Sequence, residues 1–398
     1  MDDDDGQVQD TAGANSGSEL IPMSTSIAET LPERAPITSG LARLRANLRT
    51  SNIPSLDGLR AISVILVVLV HMRVPHVPEV HGVLTFFILS GFLITWLLLK
   101  ESERTGDVSI RDFYIRRALR IFPAFYVFWI LHFGLYLLSR GFPPRGILFD
   151  YLAAFFYVSD YRMAFTHVRP VLSHTWSLGV EEQFYLIWPC VFLFFQHDLR
   201  KLTKILIGII VAVNIYRMVM FFGVHVPDSR LHVTFDGRAD HLFLGCLVAV
   251  LLKRGVLNDV WSAITSRMFM PVLTMILLST SIALGEHFHY VYKYSVGFLL
   301  DPFLIAIFLV QVVALGDAWL WKWLNWPVTR YLGRISYPMY LYHGLANDLV
   351  LRMLHGRPLW LVAPAAVAGV AAMASVSYFV VEKPFLRLKS KFSRTEVS

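Results

Sequence analysis

SLDGLRAISVILVVLVH, residues 55–71, decides how this chain is read. From Ala61 to Val70 it is apolar apart from Ser63. Such a run belongs to a helix that crosses lipid, for which about 20 mostly apolar residues are needed. An ionisable side chain inside such a span is costly and marks function by default. This stretch contains Asp57, Arg60 and His71. Arg60 and His71 are 11 residues apart, close to three full helical turns and about 16 Å of rise. They therefore share a face, and Asp57, one turn before Arg60, falls on it as well. The expectation is one polar stripe from a cytoplasmic entrance to a histidine in the outer half of the span. The plainer alternative is an Asp57–Arg60 pair at the headgroups, with His71 closing the helix.

The rest of the chain has the same character. Of 398 residues, 55% are hydrophobic and 16% charged, against roughly 25% charged in soluble domains. Mean hydropathy is +0.53. Ten windows read as spans: 56–72, 83–99, 119–138, 184–196, 205–222, 240–252, 270–284, 296–315, 335–350 and 359–381. Several look short and are expected to extend past these limits. Residues 147–158 contain Asp150 and look too short, so an interfacial or re-entrant helix is expected there. With ten spans and both termini cytoplasmic, inner segments collect most of the 36 Lys and Arg residues, as the positive-inside rule requires. The net charge of +7 then suits anionic headgroups, and no nucleic-acid partner is expected. Cys190 and Cys246 lie in apolar runs and read as embedded side chains, not as a disulfide or a metal pair.

The expected organisation is all-α, a polytopic bundle of about ten transmembrane helices over 51–385. Residues 1–50, which open with Asp2 to Asp5, read as a disordered cytoplasmic tail in which Leu41–Leu48 forms a short helix on the membrane surface. Residues 386–398 read as a basic cytoplasmic tail. No signal peptide, P-loop, GxSxG or HExxH string is present.

Four further stretches carry candidate chemistry. In FYIRRALRIFPAFY, residues 113–126, Arg116, Arg117 and Arg120 stand at the mouth of the third span. Guanidinium groups suit phosphate; the alternative is ordinary topogenic charge. In SHTWSLGVEEQFYLIWP, residues 173–189, Glu181 and Glu182 adjoin His174 and Trp176. They read either as carboxylates attracted to a helix N-terminus or as acids that orient a catalytic histidine. In FDGRADHLFLG, residues 235–245, Arg238 and Asp240 read as a candidate ion pair beside His241. In RISYPMYLYHGLAND, residues 334–348, Ser336, Tyr340, His343 and Asn347 share a helix face, as glue or as the wall of a cavity. His343 and Asp348 also spell HxxxxD, but a helix would set them about 140° apart, and that match reads as accidental.

These strings, with FFILSGFLITWLLLKE at 86–101, occur in an order that resembles the acyltransferase-3 family of membrane proteins, over about 56–385. The resemblance implies transfer of an acyl group, often acetyl, from acyl-CoA to cell-surface glycans or small molecules. The family's Arg-x10-His pair falls on Arg60 and His71, and its Arg-x-x-Arg on Arg117 and Arg120. Some members add a soluble esterase-like domain; this chain shows none, so modification by the membrane domain itself is expected. Thr85 stands where many members carry an acid.

The functional expectation is a membrane O-acyltransferase of the bacterial inner membrane, with acyl-CoA, acetyl-CoA foremost, as co-substrate and no metal. His71, Arg60, Asp57, Glu181 and Glu182 are the expected catalytic group. Arg116, Arg117 and Arg120 hold the donor, and Trp176, Arg238, Asp240, Tyr340 and His343 contact the acceptor. Partners are membrane lipids and a glycan or small-molecule acceptor; oligomeric state is not legible. The competing readings are a glycan or small-molecule transporter or flippase, and a non-catalytic scaffold. Residues 1–40 are polar and lack apolar periodicity. Their deletion is expected to leave insertion and activity nearly intact, which size-exclusion chromatography and a transfer assay on the truncated protein check.

Overall fold

The computed structural model describes residues 39–50, 52–78, 80–166, 169–389 and 392. Among them every regular element is helical. The first half comprises α1 (Gly40–Arg49), α2 (Pro54–His71), α3 (His81–Thr105), α4 (Ile110–Arg140), α5 (Arg145–Phe155), α6 (Ser159–Thr166), α7 (Trp176–Phe195) and α8 (Leu199–Met218). The second comprises α9 (Asp228–Leu231), α10 (Phe235–Arg254), α11 (Asn258–Ile264), α12 (Met270–Tyr292), α13 (Phe298–Leu315), α14 (Pro327–Arg334), α15 (Ser336–Met353), α16 (Leu359–Ser377) and α17 (Lys383–Lys389). The boundaries follow local chemistry. Pro54 opens α2, where its missing N–H is not needed. Ser109 caps α4 by accepting from the Asp112 N–H at 3.3 Å. Gly106, at φ 77°, closes α3 in the left-handed conformation.

Among the described residues seven segments are long and apolar enough to cross a membrane: Pro54–His71, His81–Thr105, Ile110–Arg140, Ser173–Phe195, Leu199–Gly223, Met270–Leu315 and Leu359–Leu388. This is an integral membrane protein. The count differs from the ten read in the sequence for two reasons. Met270–Leu315 contains both α12 and α13, run together through a π-helical turn at Lys293–Gly297. The windows at 240–252 and 335–350 fall in α10 and α15, helices diluted by Asp236, Arg238, Asp240, His343, Asn347 and Asp348. The helices also outrun several sequence windows, as expected: the one at 119–138 begins at Ile110, and the one at 184–196 at Trp176. The ambiguous 147–158 stretch is the 11-residue α5, too short to span. Its Asp150 is buried and accepts from Arg162 Nε at 2.8 Å.

The expected tails are shorter than read. Leu41, Leu44 and Leu48, at helical spacing, give α1 an apolar stripe. Leu44 and Leu48 are buried against the bundle, not spread on a membrane surface. Asn47 Nδ2 donates to the Val313 carbonyl of α13 at 2.7 Å, and Trp96 Nε1 to the Leu48 carbonyl at 3.1 Å. Ser39 caps α1, so cutting at residue 40 removes one cap, about 1 kcal/mol on a peripheral helix. Residues 1–38 lie outside the described residues. At the other end α17 continues into the expected basic tail as far as Lys389. Both cysteines are free, as expected.

The core is built around α3, which packs on α10, α2 and α13. Small residues let backbones meet, as membrane helix pairs require. A Cβ on Gly91 would run into the Leu242 carbonyl, and one on Gly245 into the Ile88 carbonyl. Gly91→Ala should therefore lower the melting temperature in detergent, by an overpacking cost of about 1–3 kcal/mol. Gly134→Ala, where a Cβ meets nothing within 4 Å, should be neutral or mildly stabilising. Equal melting temperatures for the two variants would overturn the assigned α3–α10 contact.

Candidate active site

A cavity of about 490 Å³ lies between α3, α4, α7 and α15. Arg116, Arg117, Arg120, Glu101 and Leu386 line one end. Val83, Phe86, Ser177 and Tyr340 line the other. Along α3 it reaches from Glu101 to Val83, which at 1.5 Å per residue is about 27 Å. Arg60, Ser90, Glu181, Glu182 and Tyr185 line its middle.

The arginine end follows from the first turns of α4. Arg116 Nη2 pairs with Glu101 at 2.7 Å, and its Nη1 donates to the Phe392 carbonyl at 2.8 Å. Glu101 in turn accepts from the Ser109 N–H at 3.1 Å. Arg116 is thus anchored to the protein at both ends of its guanidinium. Arg117 lies 5.1 Å from the Tyr185 ring centroid and 5.7 Å from that of Phe113. Stacking leaves its N–H edge for other acceptors. Among the described residues neither Arg117 nor Arg120 forms an ion pair.

In the middle, Arg60 Nη1 donates to Asp57 Oδ1 at 2.9 Å across one turn of α2. Asp57 is buried and does not line the cavity; it holds the guanidinium that does. A Cβ on Gly333 of α14 would strike the Asp57 carbonyl, so α14 fixes this turn. Opposite, Ser90 Oγ donates to Glu181 Oε1 at 2.7 Å, and the Tyr185 hydroxyl donates to Ser90 at 3.2 Å. Glu182 also lines the cavity, facing Arg117, Glu181 and Tyr157. Tyr157, outside the spans, has the strained φ of 57° and stacks on Phe125 at 4.4 Å. Burial pushes its hydroxyl well above the usual tyrosine range. Its neighbour Asp160 is pushed up to about 6 by burial, against an opposing hydrogen bond from Gln183.

Beyond the cavity's closed end lie three histidines. His71 is the last residue of α2. Its ring centroid is 4.4 Å from that of His343, which is 4.9 Å from that of His174. His71 Nδ1 faces the Val67 carbonyl at 2.8 Å and His343 Nδ1 the Tyr340 carbonyl at 2.5 Å. A carbonyl only accepts, so both Nδ1 atoms carry protons and, in the neutral rings, both Nε2 atoms carry the lone pair.

The structure therefore brings most of the expected residues to one place. Arg60, the three α4 arginines, Glu181, Glu182 and Tyr340 line the cavity; Asp57 braces it; His71 and His343 stand behind Tyr340. Three expected acceptor residues lie elsewhere. Trp176 packs edge-on behind Phe87, at 6.0 Å, and beside His232. Arg238 donates to the His232 carbonyl at 2.6 Å and sits 4.6 Å over the Phe298 ring. It does not pair with Asp240. Two residues apart on α10, they project about 200° from each other. Asp240 is instead gripped by both Nη atoms of Arg217, at 2.8 and 2.6 Å, with Asn214 adding a third donor at 3.1 Å.

Sequence reasoning missed Ser90, Tyr185, Glu101 and Ser177. Tyr185 was within reach, since it lies one turn after Glu181 on the same helix face. Ser90 was not, because its partner comes from another helix 91 residues away.

The family model for an acyltransferase domain, acyltransferase 3, matches residues 53–382. The chain belongs to the acyltransferase-3 family. It is 30% identical over 353 residues to the peptidoglycan O-acetyltransferase OatA of Listeria monocytogenes, covering 83% of this chain and 55% of that one. It is 31% identical over 306 residues to a putative O-acetyltransferase of Staphylococcus aureus strain COL, covering 73% and 50%. It is 30% identical over 389 residues to the O-acetyltransferase OatA of Staphylococcus aureus strain MRSA252, covering 90% and 63%. The chain spans about half to under two thirds of the length of these relatives. No solved structure matches it.

The Arg217–Asp240 pair is wholly buried, at 1% and 3% side-chain exposure. Removing one partner strands a charge, so Asp240→Ala should destabilise the protein by about 3–5 kcal/mol. A thermal-shift measurement in detergent checks this; a melting temperature equal to wild type would return Asp240 to the list of acceptor contacts.

Proposed function

We propose that this protein transfers an acyl group, acetyl foremost, from acyl-CoA to a hydroxyl of an envelope glycan. The observation that carries the reading is the cavity itself. It runs from arginines suited to phosphates to Tyr340, and the histidine cluster stands directly behind that ring, at the level of the far end of α2. The printed names of the relatives support O-acetyl transfer, and that of the Listeria monocytogenes protein supports peptidoglycan as the acceptor.

Ten helices, α2, α3, α4, α7, α8, α10, α12, α13, α15 and α16, make the bundle in this reading. Basic residues around α1, the start of α4 and α17 support an orientation with the arginine end and both termini in the cytoplasm, and the bacterial relatives support the inner membrane as its place. Donor phosphates meet Arg117 and Arg120, and Arg116 shapes the mouth from its fixed pair with Glu101. The thin pantetheine arm runs along Arg60, and the thioester enters the region between Glu181 and Tyr340.

His71 then takes the proton of the acceptor hydroxyl on Nε2, while Nδ1–H stays on the Val67 carbonyl. The hydroxyl oxygen bonds to the acyl carbon, the C–S bond breaks, and the proton leaves with the thiolate as CoA thiol. Transfer through an acyl-enzyme is chemically equivalent at this point and is separated from direct transfer by ping-pong kinetics.

In nanodiscs with radiolabelled acetyl-CoA and peptidoglycan fragments, His71→Ala should abolish ester formation without changing insertion or melting temperature. Replacing Arg117 and Arg120 by Gln should raise the donor KM in a salt-dependent way, leaving the acceptor KM near wild type. Wild-type transfer by His71→Ala would overturn the catalytic assignment. Substrate movement with no new ester would make the protein a transporter.

A further inference from the structure

None of the three histidines lines the cavity; Tyr340 does. Its ring lies between the two compartments. On the cavity side it meets Phe86, with centroids 6.5 Å apart. On the other it meets His343 at 5.5 Å and His174 at 6.0 Å. The hydroxyl is anchored at both lone-pair and proton. It donates to the His174 carbonyl at 2.7 Å, and because that uses its only hydrogen, the 2.6 Å contact with Ser177 is donated by the serine. Tyr340 is 6% exposed. One turn earlier on the same face of α15 stands Ser336, a small side chain that also lines the cavity. Helical side chains lean toward the N-terminus, so Ser336 is the small side chain over which the ring would turn once its hydroxyl lets go.

This inference rests on the donor reading of the cavity. A thioester lying along Arg60 and Glu181 is separated from the histidine cluster by the Tyr340 ring, held by two hydrogen bonds, with His343 behind it and His71 beyond. We propose that Tyr340 is the gate between the donor cavity and the histidine cluster, closed until the acceptor arrives and limiting the donor to short acyl groups. A closed gate has two consequences. The acyl chain of the donor meets a wall immediately beyond the thioester, so added methylenes have no space. The imidazole that would activate a hydroxyl is exposed, and the gate keeps it, with any water it activates, away from the thioester. Without the gate, water attacks the thioester carbonyl, the C–S bond breaks, and free carboxylate, CoA thiol and a proton are released with no acceptor consumed.

The test compares wild type with Tyr340→Ala, Tyr340→Phe and Ser177→Ala in nanodiscs. Thiol release is measured without acceptor and ester formation with it, using acetyl-, butyryl- and hexanoyl-CoA. Tyr340→Ala should raise the ratio of hydrolysis to transfer. It should also shift the kcat/KM preference toward butyryl-CoA by about tenfold or more, the scale on which a pocket discriminates methylenes. Tyr340→Phe and Ser177→Ala loosen the anchor but keep a ring at the partition, so they should raise hydrolysis while leaving acetyl preferred. A Tyr340→Ala protein with wild-type melting temperature, hydrolysis ratio and acyl preference would overturn the gate. If that variant does not fold, wild-type hydrolysis ratios in both Tyr340→Phe and Ser177→Ala overturn it. Wild-type protein that transfers nothing from any acyl-CoA would sink the functional reading, and the gate with it.

Discussion

The approach of α3 to its neighbours is the constraint on which the cavity depends. On one side Gly91 and Gly245 let α3 and α10 touch backbone to backbone, and on another Gly82 lets α3 meet the Ser63 carbonyl of α2. Lipid supplies no hydrophobic force between helices, so close packing of this kind holds them together. With α3 pinned on those sides, its remaining face stays as the long wall that runs from Glu101 to Val83. The same helix supplies Ser90, whose hydroxyl fixes Glu181 from across the cavity. A shift of α3 toward α7 closes the cavity; a shift toward α10 is blocked by carbonyl oxygens.

Charge divides along the same lines. An ion in this interior is tolerated when a partner and further hydrogen bonds meet it. Arg217 and Asp240 satisfy that rule away from the cavity, and His81 Nε2 lies 3.0 Å from Asp301 in a similar tie between α3 and α13. Asp57 with Arg60 and Glu101 with Arg116 satisfy it at the cavity's edge. Among the described residues Arg117 and Arg120 form no ion pair, Glu181 and Glu182 acting on the first and Glu382 on the second only from further off, and both line the cavity. The pairs hold the frame, and these two cations face the space that a polyanionic donor would fill in the proposed reaction.

Much of this was legible in the sequence because helical spacing is a local property. The Asp57–Arg60–His71 stripe, the arginines of α4 and the polar face of α15 can each be drawn on a single helix, and each is found where its spacing puts it. The Arg238–Asp240 pairing failed by that same rule, since two residues cannot face each other along one helix. What stayed hidden depends on which helices touch. Nothing in the FFILSGF string points to Glu181, and nothing in α8 points Arg217 at Asp240. The count of spans failed differently. α10 and α15 are surrounded by protein, so they carry polar side chains that a lipid-facing helix excludes, and composition alone understates them.

In the proposed reaction, the position of His71 would let one helix carry both ends of the chemistry. Arg60 and His71 ride on α2, so the distance between them is fixed by about three helical turns and cannot drift with side-chain motion. α14 locks the Asp57 end through Gly333, and α15 meets the His71 end through His343, with Asn347 Nδ2 reaching the Val68 carbonyl at 3.4 Å. α2 is thus a ruler held at both ends. A donor gripped near Arg60 has its reacting carbon placed by the length of its own arm against that ruler, and the remaining variable is the ring of Tyr340. Proximity of this kind is worth up to about 7–11 kcal/mol in well-oriented systems. If the proposed gate holds, a site that fixes distance with backbone and leaves one side chain to move would obtain that advantage while keeping the thioester apart from the base until the acceptor is present.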